Sequence, residues 1–212
     1  NRRWAKKHGL PTYEGHLAGY NALKDLILYS ADRGIKFLSI YAFSTENWKR
    51  SKDEVNNLMG LALRVFKTDM REIVDHQIKI CILGSRETIP PKVLKAMEEV
   101  EEMSKDFTRT TVAICFNYGG QSEIVAAAKA CIKSGIEITE ENLRQHLYEP
   151  NIPDIDMVVR TSGEQRLSNF MLWRIAYSEF YFMNKLWPDM RSSDVDMIIR
   201  EYNKRTRRFG GN

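Results

Sequence analysis

Cysteine is scarce in this chain and long apolar runs are missing. Three cysteines occur in 212 residues, Cys81, Cys115 and Cys131. They form no CxxC pair and have no histidine at metal-ligand spacing, which excludes a disulfide framework and a zinc module. They read as small buried hydrophobes in a reducing, cytoplasmic setting. No apolar run approaches the roughly 20 residues of a membrane-spanning helix. The 6 prolines and 12 glycines are not gathered into a linker, so residues 1–212 read as a single domain. Charge of one sign is also short. The net charge of +4 is too small to argue for nucleic acid by itself. What is there is the composition of an ordinary soluble globule, 43% apolar and 28% charged. The chain opens on Asn1 with no secretory h-region, so it is expected to belong to a longer polypeptide.

Four short runs rich in β-branched and aromatic residues, Lys36–Phe43, Ile78–Gly84, Thr111–Asn117 and Met157–Arg160, alternate with stretches of helical period. The pattern predicts an α/β fold with a central, mainly parallel sheet flanked by helices. Helices are expected over Leu17–Arg33, Lys52–Asp75, Pro91–Lys105, Gln121–Lys133, Glu140–Leu147, Asn169–Tyr177 and Ser193–Lys204. Ser51 with Glu54 forms a capping-box pattern, and Thr139 stands as an N-cap before Glu140 and Glu141. Val55, Leu58, Met59, Ala62, Val65 or Phe66, and Met70 make an apolar stripe of the kind that faces a core.

In open parallel sheets ligands gather beyond the carboxyl ends of the strands. Three motifs fall there, after Phe43, Asn117 and Arg160. Ser44-Thr45-Glu46-Asn47-Trp48-Lys49-Arg50 is denser in functional side chains than a connection needs. In it Asn47 is either a turn residue satisfying its own backbone or an amide that orients a substrate and relays a proton. Arg160-Thr-Ser-Gly-Glu-Gln-Arg166-Leu167-Ser168 brings two guanidinium forks, a Ser-Gly turn and a hydroxyl before an expected helix N-terminus. Glu179 follows shortly after. That combination suits a phosphate ester with a metal ion nearby. Cations also cluster at Arg2, Arg3, Lys6 and Lys7 and at Lys204, Arg205, Arg207 and Arg208. Taken singly, such runs are solvated faces or frayed ends.

Taken together, Asn-Arg-Arg-Trp-Ala-Lys-Lys from residue 1, Gly15-His16, Tyr41 to Arg50, Asn117-Tyr-Gly-Gly, Arg160 to Phe170, Leu186-Trp-Pro-Asp and Arg207-Arg-Phe-Gly-Gly resemble the cis-prenyltransferases, above all those of the undecaprenyl diphosphate synthase type. The order is right along essentially the whole chain. The resemblance implies elongation of an allylic diphosphate such as farnesyl diphosphate by isopentenyl diphosphate, with a Z double bond formed and diphosphate released. It assigns the allylic diphosphate to Asn1, Arg2, Arg3, Trp4, His16 and Arg50, and the space beside it to Ser44, Thr45, Glu46 and Trp48. Asn47 is given a catalytic, positioning part. Isopentenyl diphosphate falls to Arg160, Arg166, Leu167 and Ser168 and, across a homodimer interface, to Arg208 and Gly210. Glu179 becomes a Mg2+ ligand. The Lys52–Asp75 stripe, with Leu23 and Ile27, becomes a wall of a hydrophobic tunnel between sheet and helices, and a lipid product gives a peripheral contact with membrane.

Departures from the family pattern are local. Its phosphate-loop Asp-Gly-Asn is represented only by Asn1, so the catalytic aspartate is expected upstream. Thr12 replaces a frequent arginine, Gln165 a histidine, Arg174 a glutamine and Ser85 an aspartate. The Asp-rich DDxxD motifs of the all-helical trans-prenyltransferases are absent, since no two aspartates are adjacent. Two other classes stand beside this reading. One is a non-catalytic subunit of a heteromeric prenyltransferase, which would lack much of the phosphate-binding set. The other is a nucleic-acid-binding protein, for which no motif is present.

Overall fold

A computed structural model describes residues 1–205. In chain order it contains α1 (Arg2–Lys7), α2 (Thr12–Asp32), β1 (Phe37–Ser44), α3 (Lys52–Arg64), α4 (Met70–Asp75), β2 (Ile78–Leu83), α5 (Pro91–Ser104), β3 (Thr110–Tyr118), α6 (Gly120–Lys133), α7 (Glu140–Gln145), β4 (Met157–Arg160), β5 (Glu179–Phe182) and α8 (Ser192–Asn203). The described residues fall into two compact units. The first holds residues 1–33, 154–168 and 174 onward, and the second holds residues 34–153 and 169–173.

The second unit is built on a parallel sheet in the order β1-β3-β2. Its middle strand is buried along almost its full length, which is why Thr110–Tyr118 reads as a continuous run rather than an alternating one. Helices α3, α4 and α5 pack on one another and α5 lies on β2. The predicted Lys52–Asp75 helix is one continuous helical path, interrupted by a π-helical turn at Val65–Asp69. Its stripe faces inward, with Met59, Ala62, Val65, Phe66 and Met70 buried and the Phe66 ring edge-on to Phe116 at 5.7 Å. Beside it, an apolar depression of about 440 Å³ is lined by Met59, Gly60, Leu63, Pro90, Pro91 and Val93, with Lys92 at its margin. The Ser51 hydroxyl accepts the Glu54 N–H at 3.3 Å, and the Thr139 hydroxyl accepts that of Asn142 at 3.1 Å. Both helix starts are capped as expected.

The first unit places the two-stranded parallel sheet β4-β5 with α1, α2 and α8. Ile27 is fully buried, and Ala22, Leu26 and Ala31 lie with it on the inner face of α2. The Trp187 indole N–H donates to the Gly19 carbonyl at 2.8 Å, fixing the Trp187–Asp189 turn on that helix.

One expected helix is absent. Asn169–Tyr177 forms turns, because Ser168, Asn169 and Met171 all adopt positive φ, at 52°, 64° and 39°. Left-handed residues so closely spaced cannot start an α-helix. The loop after Arg160 therefore offers no helix dipole to a phosphate, and that part of the expectation is corrected. Strand β5 and helix α1 were not anticipated. All three cysteines are free and buried, as expected. Burial first, then the charge of Glu149, pushes the Cys81 thiol up to about 12, so it stays protonated and inert. Among the described residues, no helix is long and apolar enough to cross a membrane.

Candidate active site

In the second unit, the site residues stand where β1 leaves the sheet. Register shifts between Tyr41 and Phe43, and again between Phe43 and Ser44, loosen the β1-β3 ladder and re-aim the chain. On the β3 side the extra residue is Asn117, buried and at φ 50°. Its amide ties three strand ends together. It donates to the carbonyls of Ser85 and Glu87, both at 2.9 Å, and accepts the Trp48 indole N–H at 2.8 Å. Both amide hydrogens and the oxygen are used, so its orientation is fixed. Close by, a Cβ on Gly84 would sit 1.9 Å from the Phe116 carbonyl oxygen, and its φ of 140° suits glycine alone.

The turn Thr45–Lys49 is a 3-10 helix. The Ser44 N–H donates to Asn47 Oδ1 at 3.0 Å, so the Asn47 oxygen serves its own turn and its NH2 is the part left to face a substrate. Glu46 accepts from Asn169 Nδ2 at 3.3 Å. Partial burial works to raise the Glu46 pKa. Hydrogen bonds from its own backbone, Ser44, Asn169 and Thr45 outweigh that and hold the carboxyl below its ordinary value. Arg50 bonds Glu54 Oε1 at 2.9 Å, one helical turn on.

The first unit carries the other candidates. Asn1 is seated on α2 by two glycines. A Cβ on Gly15 would come within 2.4 Å of the Asn1 carbonyl oxygen, and one on Gly19 within 2.4 Å of its side-chain Nδ2. His16 lies between them, buried on the same helix. Gly15 thus admits the close approach of Asn1 to α2. Arg2 is exposed on the first turn of α1. Trp4 is committed elsewhere, since its indole N–H donates to Asp189 Oδ1 at 2.7 Å and its ring lies 4.2 Å from that of His8. Its visible work is to hold α1 in place.

Residues 160–168 collect cations around one acid. Arg3 reaches Glu164 Oε1 at 3.0 Å, and Arg166 pairs with the other oxygen of the same carboxylate. Arg160 Nη2 points at Ser168 Oγ, 3.5 Å away, and Leu167 is half-buried between. Ser162 and Gly163 adopt positive φ, and their N–H groups bond Lys185 and Met183 carbonyls at 2.8 Å each. The loop is pinned to the chain that follows β5, leaving Arg166 exposed.

Glu179 opens β5 and pairs in register with Met157. Its Oε2 accepts from Arg205 Nη1 at 2.6 Å. Among the described residues, no group of three or more metal-ligating side chains comes together. A lone carboxylate fits the needs of Mg2+, which binds through one or two carboxylates plus substrate phosphates and keeps several waters, provided that the ion replaces Arg205 on it. Arg208 and Gly210 lie outside the described residues.

Sequence reasoning missed the supporting cast: Asn117, Gly19, Glu164 and Arg205. The Asn-Tyr-Gly-Gly motif and the acid inside the arginine loop were the available signals. No pattern in the sequence indicated that Arg205 would meet Glu179.

The chain matches the family model described as putative undecaprenyl diphosphate synthase over residues 1–210. It is 49% identical to an isoprenyl transferase of Thermotoga maritima, across all of this chain and 93% of that protein. An isoprenyl transferase of Fusobacterium nucleatum is 46% identical, across all of this chain and 92% of that one. Lavandulyl diphosphate synthase from Lavandula x intermedia, solved with dimethylallyl diphosphate, is similar in structure with a TM-score of 0.92 and 36% identity. That match covers 99% of this chain and 93% of the other. A probable undecaprenyl diphosphate synthase from Campylobacter jejuni gives a TM-score of 0.84 at 34% identity, covering 91% and 92%. With these similarities along its whole length, the chain belongs to the undecaprenyl diphosphate synthase family of prenyltransferases.

Proposed function

We propose that the chain condenses isopentenyl diphosphate with an allylic diphosphate such as farnesyl diphosphate, giving a Z-polyprenyl diphosphate and free diphosphate. Prenyl transfer itself follows from the family. The observation that carries the finer reading is the convergence of Arg3 and Arg166 on the Glu164 carboxylate. Two cations far apart in sequence are held side by side around one internal anion, an arrangement that suits two diphosphates bound next to each other, one on each guanidinium.

Arg160, Arg166 and Ser168, with Leu167 beside them, hold isopentenyl diphosphate. Asn1, Arg2, Arg3, His16 and Arg50 hold the allylic diphosphate, a class that includes the dimethylallyl diphosphate bound by the lavender relative. Trp4 supports that group by fixing α1. Ser44, Thr45, Glu46 and Trp48 line the reacting space, where the Asn47 NH2 orients the substrate. The allylic C–O bond breaks with its electron pair leaving on diphosphate. A new C–C bond then forms to isopentenyl diphosphate, which loses a proton. Glu179 is the side chain that would hold Mg2+, which when bound would supply charge stabilisation for a diphosphate leaving group. The buried stripe of α3 is the candidate wall for the hydrocarbon. The enzyme works as a homodimer in the cytoplasm and passes its lipid to the membrane.

The test is incubation with farnesyl diphosphate, labelled isopentenyl diphosphate and Mg2+, followed by sizing of the extracted product. Labelled polyprenyl diphosphate containing Z double bonds is the expected result. Retention of all label as unreacted isopentenyl diphosphate by folded protein spanning the full family length would refute the proposal.

A further inference from the structure

Glu179 is one corner of a closed ring of contacts in the first unit. Its own N–H donates to the Asp156 carbonyl at 2.9 Å. Asp156 Oδ1 accepts from the Tyr202 hydroxyl at 3.2 Å. The Tyr202 carbonyl accepts the Arg205 N–H at 3.0 Å, and the Arg205 guanidinium returns to Glu179 Oε2 at 2.6 Å. The end of α8 is thus clasped to the edge of β5 through the carboxylate proposed to hold the metal. The side chains of Arg205 and Glu179 are 28% and 33% exposed, so water screens the pair only in part.

A guanidinium and a dication cannot occupy one carboxylate oxygen, and their like charges repel at such range even on different oxygens. We propose that Arg205 is an internal counter-ion of the Glu179 site, displaced when a divalent cation enters, so that metal binding releases the C-terminal end of α8 from β5. The inference rests on Glu179 being the metal ligand. Arg205 acts as a positioning residue. It holds the Glu179 carboxylate aimed while no metal is present, and it makes metal occupancy and anchoring of the helix end mutually antagonistic. By linkage, the antagonism acts equally in both directions.

The experiment is a Mn2+ titration followed by the electron paramagnetic resonance of the free ion, in the presence of isopentenyl diphosphate, on the wild type and on Arg205→Gln, Arg205→Lys and Glu179→Gln. Arg205→Gln should bind Mn2+ about fivefold more tightly, the scale of a partly exposed ion pair, while Arg205→Lys stays near the wild type. In the wild type, Mg2+ should speed hydrogen exchange of the amides of residues 202–205. Unchanged or weaker Mn2+ binding by Arg205→Gln, with binding lost in Glu179→Gln, would overturn the counter-ion role and leave Glu179 as ligand. Unchanged binding by Glu179→Gln would remove the metal assignment on which the inference rests.

Discussion

The turn at residues 44–50 and the loop at residues 160–168 are both expected to handle diphosphates, yet they are built in opposite ways. The first is tied into a sheet. Trp48 is bonded to Asn117, Asn47 to the Ser44 backbone and Glu46 to Asn169. The second hangs from β4 in a run with several left-handed residues, and its Glu164 carboxylate pairs with Arg166 and with Arg3 of α1. In the turn, the partners of functional side chains are structural, so their geometry is set before any ligand arrives. In the loop, the partner of the arginines is itself an anion, so the ligand replaces a contact that the fold has lent. Substitutions supporting the turn should therefore register in stability, and those in the loop in binding.

The largest effect is expected at Asn117. Asn117→Ala strands the Trp48 indole N–H and the Ser85 and Glu87 carbonyls together. It should lower unfolding free energy by about 3 kcal/mol, measured by urea denaturation. A loss below about 1 kcal/mol would mean that the three strand ends are not joined through this amide. Next is Gly15→Ala, whose Cβ would come within 2.4 Å of the Asn1 carbonyl oxygen and 2.9 Å of the Ala5 side chain. Displacement of α1 should cost about 2 kcal/mol by the overpacking rule and raise the KM for the allylic diphosphate. An unaltered KM would separate Asn1 from that substrate.

The smallest effect concerns Glu46. Its pKa lies below the ordinary 4.5, so its contribution to stability is complete above that value and is lost as pH falls through the lower, folded one. Glu46→Gln should flatten the acid limb of the stability curve slightly, as befits an exposed group. An acid limb identical in both proteins would show that the hydrogen bonds to Glu46 carry no linkage.

Much of the architecture was legible because it rests on burial. Ile78–Leu83 and Thr110–Tyr118 are sheet-core strands and read as continuous apolar runs. The α3 stripe faces inward as its spacing requires. The expected helix over Asn169–Tyr177 failed for a local reason. Its apolar spacing is genuine, with Met171 and Ile175 buried, but the backbone before it is left-handed, and periodicity does not register φ. Strand β5 is as short as β4, but it follows directly on residues 169–177, whose apolar spacing reads as a helix and masks it. At the site, residue types and spacing singled out the arginines and Glu179 as candidates. The pairings that hold them, Arg3 and Arg166 with Glu164 and Arg205 with Glu179, depend on tertiary approach, to which no sequence spacing corresponds.

The central claim is that residues 160–168 hold the isopentenyl diphosphate and not its allylic partner. It is tested most directly by steady-state kinetics of Arg166→Ala with each substrate varied in turn. Loss of a charge-assisted phosphate contact costs about 2 kcal/mol. The isopentenyl diphosphate KM should therefore rise roughly 30-fold, with the allylic KM within about twofold of the wild type. A rise confined to the allylic KM, or normal values for both substrates, would contradict the account.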